Sequence, residues 1–105
     1  MDKADAIKIA ERYISLVCKK YKIENAILFG SFARGTNNTD SDIDLAIIFE
    51  SIDDIIDLQI DLMKIRTDDD LLIEPHPFRI NDFNISNPIV SEILKNGIEI
   101  ADYAA

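Results

Sequence analysis

Cysteine is almost missing from this 105-residue chain: Cys18 stands alone, so no internal disulfide can form. A lone thiol fits a reducing compartment, and a cytoplasmic location is expected. Tryptophan is absent, and only three prolines and three glycines punctuate the chain, which argues against a low-complexity or fibrous protein. No apolar run approaches the roughly 20 residues that cross a bilayer, and the amino terminus lacks the apolar core of a signal peptide. Basic side chains are also scarce, 11 against 20 acids, for a formal net charge of −9. Gripping a phosphate backbone takes clustered lysine and arginine, so neither direct nucleic-acid binding nor membrane association is expected.

What remains is a hydrophobic fraction of 48%, enough for one core, and a length that sets a single domain over 1–105. Asp2 is placed to cap a first helix whose Ile7, Ala10, Ile14, Val17 and Tyr21 recur at helical spacing, widened by Ile9, Tyr13 and Leu16. Cys18 falls on that helix as a small packing residue, and Lys19, Lys20 and Lys22 suit its negative pole. Ala26–Phe29 reads as a short buried strand, and Ile43–Phe49 as a second, paired with it antiparallel. Ser51 and Asp54 read as a capping box opening a helix with Ile52, Ile55, Ile56, Leu62 and Met63 inward. Its Asp53, Asp57 and Asp61 form a solvated outer stripe. Asp68, Asp69 and Asp70 read as a solvated turn, and Leu71–Glu74 as a third strand. A last helix is bounded by Asn87 as cap, Pro88 in the first turn and Gly97 at the end, with Ile89, Val90, Ile93 and Leu94 buried. Ile98–Ile100 adds an edge strand, and Asp102–Ala105 a loose tail. Strands alternating with helices give an α/β (α+β) sandwich in which a small mixed β-sheet packs against helices.

The chemistry concentrates in Gly30-Ser31-Phe32-Ala33-Arg34-Gly35, followed by Ser41-Asp42-Ile43-Asp44-Leu45. A glycine ends the first strand and lets the backbone turn sharply. Ser31 can cap a short helix while offering its hydroxyl, and such a turn aims backbone N–H groups at an anion. Asp42 and Asp44, two apart on a strand, share one face at roughly 6–7 Å. Two carboxylates so close repel unless a cation lies between them. Hard oxygen donors favour Mg²⁺ or Mn²⁺, and such sites serve phosphoryl or nucleotidyl displacement. The plainer alternative is a polar turn at Asp40-Ser41-Asp42 with Asp44 at a sheet edge. The only histidine, His76, lies between Pro75 and Pro77 in an extended segment and is assigned a structural role.

The pattern Gly-Ser-x-x-Arg-Gly, then Ser-Asp-x-Asp-Leu, resembles the minimal nucleotidyltransferases (MNT) of the DNA polymerase beta superfamily. That resemblance implies the nucleotidyltransferase fold and a third carboxylate on a neighbouring strand, for which Glu74, ending the run Leu71-Leu72-Ile73, is the candidate. Asp68, Asp69 and Asp70 compete for that place but read better as the solvated turn, and since relatives often carry aspartate there, the glutamate leaves the metal geometry open. Asp42, Asp44 and Glu74 are then the catalytic and metal-holding set, with Mg²⁺ or Mn²⁺ as cofactor and ATP as substrate. Gly30, Ser31, Arg34 and Ser41 are the nucleotide- and phosphate-binding set. Arg34 either neutralises the leaving pyrophosphate or pairs structurally with an acid.

Members this small resemble the antitoxins of HEPN/MNT toxin–antitoxin pairs, which adenylylate a tyrosine of a helical RNase toxin. The expected partner is therefore a HEPN-type protein, and the expected reaction is AMP transfer from ATP to its hydroxyl. A non-catalytic module that neutralises its partner by docking is the alternative. Transfer to a small molecule is disfavoured because the chain has no room for a second domain to hold one. The broad apolar faces also permit a homo-oligomer.

Overall fold

A computed structural model describes residues 1–100; the expected tail at Asp102–Ala105 lies outside the described residues. Helix α1 spans Lys3–Cys18, strand β1 Asn25–Phe29, helix α2 Ser31–Arg34, strand β2 Ile43–Phe49 and helix α3 Ile55–Ile65. Strand β3 spans Ile73–Arg79, helix α4 Pro88–Asn96 and strand β4 Ile98–Glu99. The sheet order is β3-β2-β1-β4, with β1 antiparallel to β2 and to β4, and β2 parallel to β3. The α/β architecture with a mixed sheet is thus as the sequence implies.

Strand side chains alternate between faces, and β2 uses both. Ile43, Leu45, Ile47 and Phe49 join Ala26, Leu28 and Ile73 beneath α1 and α3, where Ala6, Ala10, Tyr13, Ile14, Val17, Leu58 and Leu62 are buried. Ala46 and Ile48 join Ile27 and Phe29 against Ile93 of α4. A strand covered on both faces reads as the continuous run Leu-Ala-Ile-Ile-Phe. Asp44 interrupts that pattern on the α4 face.

The ends of the helices follow local chemistry. Asp2 accepts from Asp5 N–H while Asp5 accepts from Asp2 N–H, a reciprocal cap for α1. Asn87 caps α4 with Pro88 at its start, and Gly97 ends it. A side chain at Gly97 would run into the carbonyl of Ile93 and the Ile27 methyl, so close packing demands glycine there. Helix α3 departs from expectation: it begins at Ile55, with Asp54 rather than Ser51 accepting from Ile56 and Asp57 N–H. Leu62 is buried as expected and Leu58 joins it, whereas Ile55, Ile56 and Met63 are exposed. On α4, likewise, Val90 and Ile93 are buried whereas Ile89 and Leu94 face outward.

Tertiary partners override four further expectations. Asp70 is fully buried rather than solvated, with Arg12 3.0 Å from one oxygen and the Thr67 hydroxyl donating to the other at 2.8 Å. Lys20 leaves the helix pole to pair with Asp61 at 2.8 Å, and the Tyr21 hydroxyl also donates to Asp61. Asp61 therefore belongs to an α1–α3 clamp rather than to a free acidic stripe. Strand β3 runs past Glu74 through both prolines. Ile43 N–H donates to Leu72 C=O, so in this parallel ladder the odd residues of β3 turn away from β2. Pro75 and Pro77 sit at those outward positions, where the missing N–H costs no ladder bond and blocks strand addition at the edge. Gln59 covers the Pro75 carbonyl at 2.9 Å.

Tyr13 is buried with its hydroxyl donating to Leu62 C=O at 2.6 Å, and burial pushes its ionisation well above the usual range. Tyr13→Phe is expected to lower stability by about 1 kcal/mol, read as a drop in the urea unfolding midpoint with an unchanged slope. The bonds from Lys20 and then Tyr21 hold the Asp61 carboxyl below its usual range. A depressed carboxylate stabilises the fold above its unfolded pKa and loses that contribution as pH falls through its folded one. Asp61→Asn is therefore expected to unfold earlier than the parent at neutral pH, with the gap closing on acidification. A gap independent of pH would show that the charge plays no part.

Candidate active site

The site is assembled where β1 ends and β2 begins. Antiparallel register pairs Phe29 with Asp44, so the turn after β1 lies directly against Asp44. Gly30 takes φ 79°, ψ −154°, a region essentially reserved for glycine. A Cβ at this position would collide with Asp44 Oδ2 and sit 3.2 Å from its Cγ. Two independent demands, backbone and space, thus fall on one residue. The chain then makes the single turn of α2, closed by Gly35 in the left-handed region at φ 76°, with Thr36 N–H returning to Ser31 C=O at 2.9 Å. Phe32 and Ala33 are buried, anchoring the turn in the core while Ser31 and Arg34 remain accessible.

The third carboxylate comes from the parallel pairing of β2 and β3, whose register sets Glu74 directly beside Asp44. Adjacent strands lie about 4.8 Å apart and paired residues share a face, so two acids stand side by side. Asp42 is exposed and lies just before the first residue of β2. The expected trio therefore gathers at one end of the sheet. Among the described residues, no three His, Cys, Asp or Glu side chains are arranged as a ready-made cage for a metal ion. The donor set nonetheless fits a hard cation: oxygen ligands only, with like charges on neighbouring strands that a cation would relieve.

Asp44 is held by a histidine that is itself packed against β1. His76 Nε2–H donates to Asp44 Oδ1 at 3.1 Å, and the His76 ring meets Phe29 edge-on at 5.0 Å. His76 was assigned a structural role from sequence; in the fold it touches the central carboxylate. The signal lay in the alternation of Glu74 and His76, which share the Asp44 face once the strand extends beyond Glu74. The strand was expected to stop at Glu74, two residues too early for that to be seen.

A cleft of about 400 Å³ opens beside Asp44, lined by Ser31, Arg34, Ile89 and Glu92 among others. Arg34 Nη1 donates to Glu92 Oε1 at 2.7 Å, so of its two expected roles this structure displays the pairing with an acid. The Glu92 carboxyl is held below its usual range first by Arg34 and then by the bond from Asn96. Nothing in the sequence singled out Glu92, because only the packing of α4 brings it to Arg34. Ser41, expected at a phosphate, closes its own loop: its hydroxyl accepts from Asn38 N–H at 2.9 Å.

The family described as Polymerase beta, Nucleotidyltransferase matches residues 12–104. No curated protein matches the chain. Among solved structures, a Sulfolobus solfataricus protein provisionally named a nucleotidyltransferase superposes with a TM-score of 0.68 at 18% identity, covering 92% of this chain and 80% of the other. A chain from a toxin–antitoxin structure with AMP-PNP superposes with a TM-score of 0.54, also at 18% identity, covering 99% of this chain and 82% of the other. At such identities the likeness concerns the fold.

Both Gly30 and Gly35 have positive φ, but only Gly30 has a neighbour in the way of a side chain. Gly30→Ala is expected to cost about 2–3 kcal/mol and Gly35→Ala about 1 kcal/mol, measured by chemical denaturation. Equal losses would mean that the close approach to Asp44 contributes nothing.

Proposed function

This chain belongs to the polymerase beta nucleotidyltransferase family, and from that premise we propose that it transfers AMP from ATP to a hydroxyl of a partner protein. The observation that carries this reading is the register setting Glu74 beside Asp44 next to the Gly30–Ser31 turn. A similar fold in a toxin–antitoxin structure with AMP-PNP supports an adenine nucleotide as donor and a protein as partner. By family resemblance that partner is a HEPN-type toxin, and this chain is its antitoxin.

In this reading Asp42, Asp44 and Glu74 hold Mg²⁺ or Mn²⁺, which supplies charge neutralisation on the triphosphate and a lowered pKa for the acceptor hydroxyl. His76 positions Asp44 through its bond to Oδ1. Ser31 and the turn begun by Gly30 hold the outer phosphates. The acceptor oxygen attacks the α-phosphorus and gives its proton to Glu74. A new O–P bond forms as the bond from the α-phosphorus to the bridging oxygen breaks, and pyrophosphate departs with its charge met by Arg34.

Incubating the protein with Mg²⁺, ATP and its partner is expected to raise the partner's intact mass by one AMP. Asp42→Asn/Asp44→Asn should abolish that increment, a loss of at least about a hundredfold, while the thermal melt still reports a folded chain. Chelation by EDTA should have the same effect, and added Mg²⁺ or Mn²⁺ should reverse it. An unchanged partner mass with the parent protein would sink the proposal. Full neutralisation of the partner by the double variant would identify a module that acts by docking.

A further inference from the structure

The cleft beside Asp44 contains one basic side chain, Arg34, and its guanidinium is already taken by a carboxylate from a different element. Glu92 reaches it from α4 at 2.7 Å, and the second Glu92 oxygen is steadied by Asn96 at 3.1 Å. Both partners are partly exposed, 43% for Arg34 and 34% for Glu92, so the pair stands in the mouth of the cleft, not in the core. Ser31 and Asp44 line the same space. We propose that Glu92 is a nucleotide-specificity residue: its carboxylate occupies the place on Arg34 that an outer phosphate of a nucleoside triphosphate takes, and must be displaced for the triphosphate to bind. The inference rests on the nucleotidyltransferase reading above and adds a determinant to it.

The chemistry of the two anions is alike. A guanidinium offers a planar fork that carboxylate and phosphate oxygens accept equally well. An exposed ion pair of this kind is worth little and exchanges readily, so Glu92 delays an anion without excluding it. A triphosphate brings several charges to the competition, whereas a monophosphate placed at the reacting end has none to spare for Arg34. Glu92 therefore weakens the hold on nucleotides that carry outer phosphates and leaves a monophosphate untouched.

The opposite role is that Glu92 orients Arg34 for the phosphate, and the sign of one measurement separates the two. Orientation spares the rotamer freedom of a single side chain. Repulsion acts between Glu92 and every charge of the incoming triphosphate, at short range and beside Asp44, which lines the same cleft. Repulsion and competition dominate, so removing the carboxylate should tighten binding.

The test is calorimetric titration of AMP-PNP with Mg²⁺, and of AMP, into the parent, Glu92→Gln, Glu92→Ala, Arg34→Gln and the Arg34→Gln/Glu92→Gln pair. Circular dichroism melts establish which variants are folded. Both Glu92 variants are expected to lower the Kd for AMP-PNP by about three- to tenfold, the worth of an exposed ion pair plus the relieved repulsion, and to leave AMP unchanged. Either variant suffices if the other does not fold. The gain should vanish in the Arg34→Gln background. Unchanged or weaker AMP-PNP binding, or an equal gain for AMP, overturns this role of Glu92 while leaving the proposed reaction intact. If neither the parent nor the variants bind AMP-PNP, the nucleotide reading falls and this inference with it.

Discussion

A missing side chain is the constraint on which the site depends. Without a Cβ at residue 30, the backbone leaving β1 can pass against Asp44, and the antiparallel register of β1 with β2 can continue to the edge of the turn. Any other residue would clash and would also have to hold a backbone conformation open almost only to glycine. Once that approach is made, the parallel register of β2 with β3 carries Glu74 to the same place. Turn, central acid and neighbouring acid are then fixed relative to one another by ladder bonds rather than by flexible loops.

The acids differ in how they are partnered. Asp61 lies between Lys20 and Tyr21, and Asp70 is enclosed by Arg12 and Thr67. These pairs tie α1 to the segment that precedes β3. At the candidate site, Glu74 stands beside Asp44, the His76 ring donates to Asp44, and the Arg34–Glu92 pair lines the adjoining cleft. Like charges on neighbouring strands repel, and a positive group between them would relieve that repulsion.

Much of the frame was legible because local chemistry acts alone there. Asp2 and Asn87 cap their helices since a short polar side chain reaches the free N–H groups whatever the rest of the chain does. The apolar run Ile43–Phe49 announced a strand, and its bounds are those of β2. The start of α3 was misplaced because Ser51 and Asp54 both have capping chemistry, and packing of Leu58 and Leu62 chose between them. Pro75 and Pro77 marked an extended segment, and the sheet carries it on as β3 because they fall on an outward edge where their missing N–H is harmless.

By itself the sequence determined the motif and its family: glycines at the turn, carboxylates at strand spacing, and caps that mark the helices, all features whose physics operates within a few residues. Only the tertiary structure decided which acids are matched and which stand open, that His76 touches Asp44, and that Glu92 holds Arg34. Those facts join residues 32, 41 and 58 positions apart. Charge acts through space, and spacing along a chain carries no record of which distant side chain will arrive.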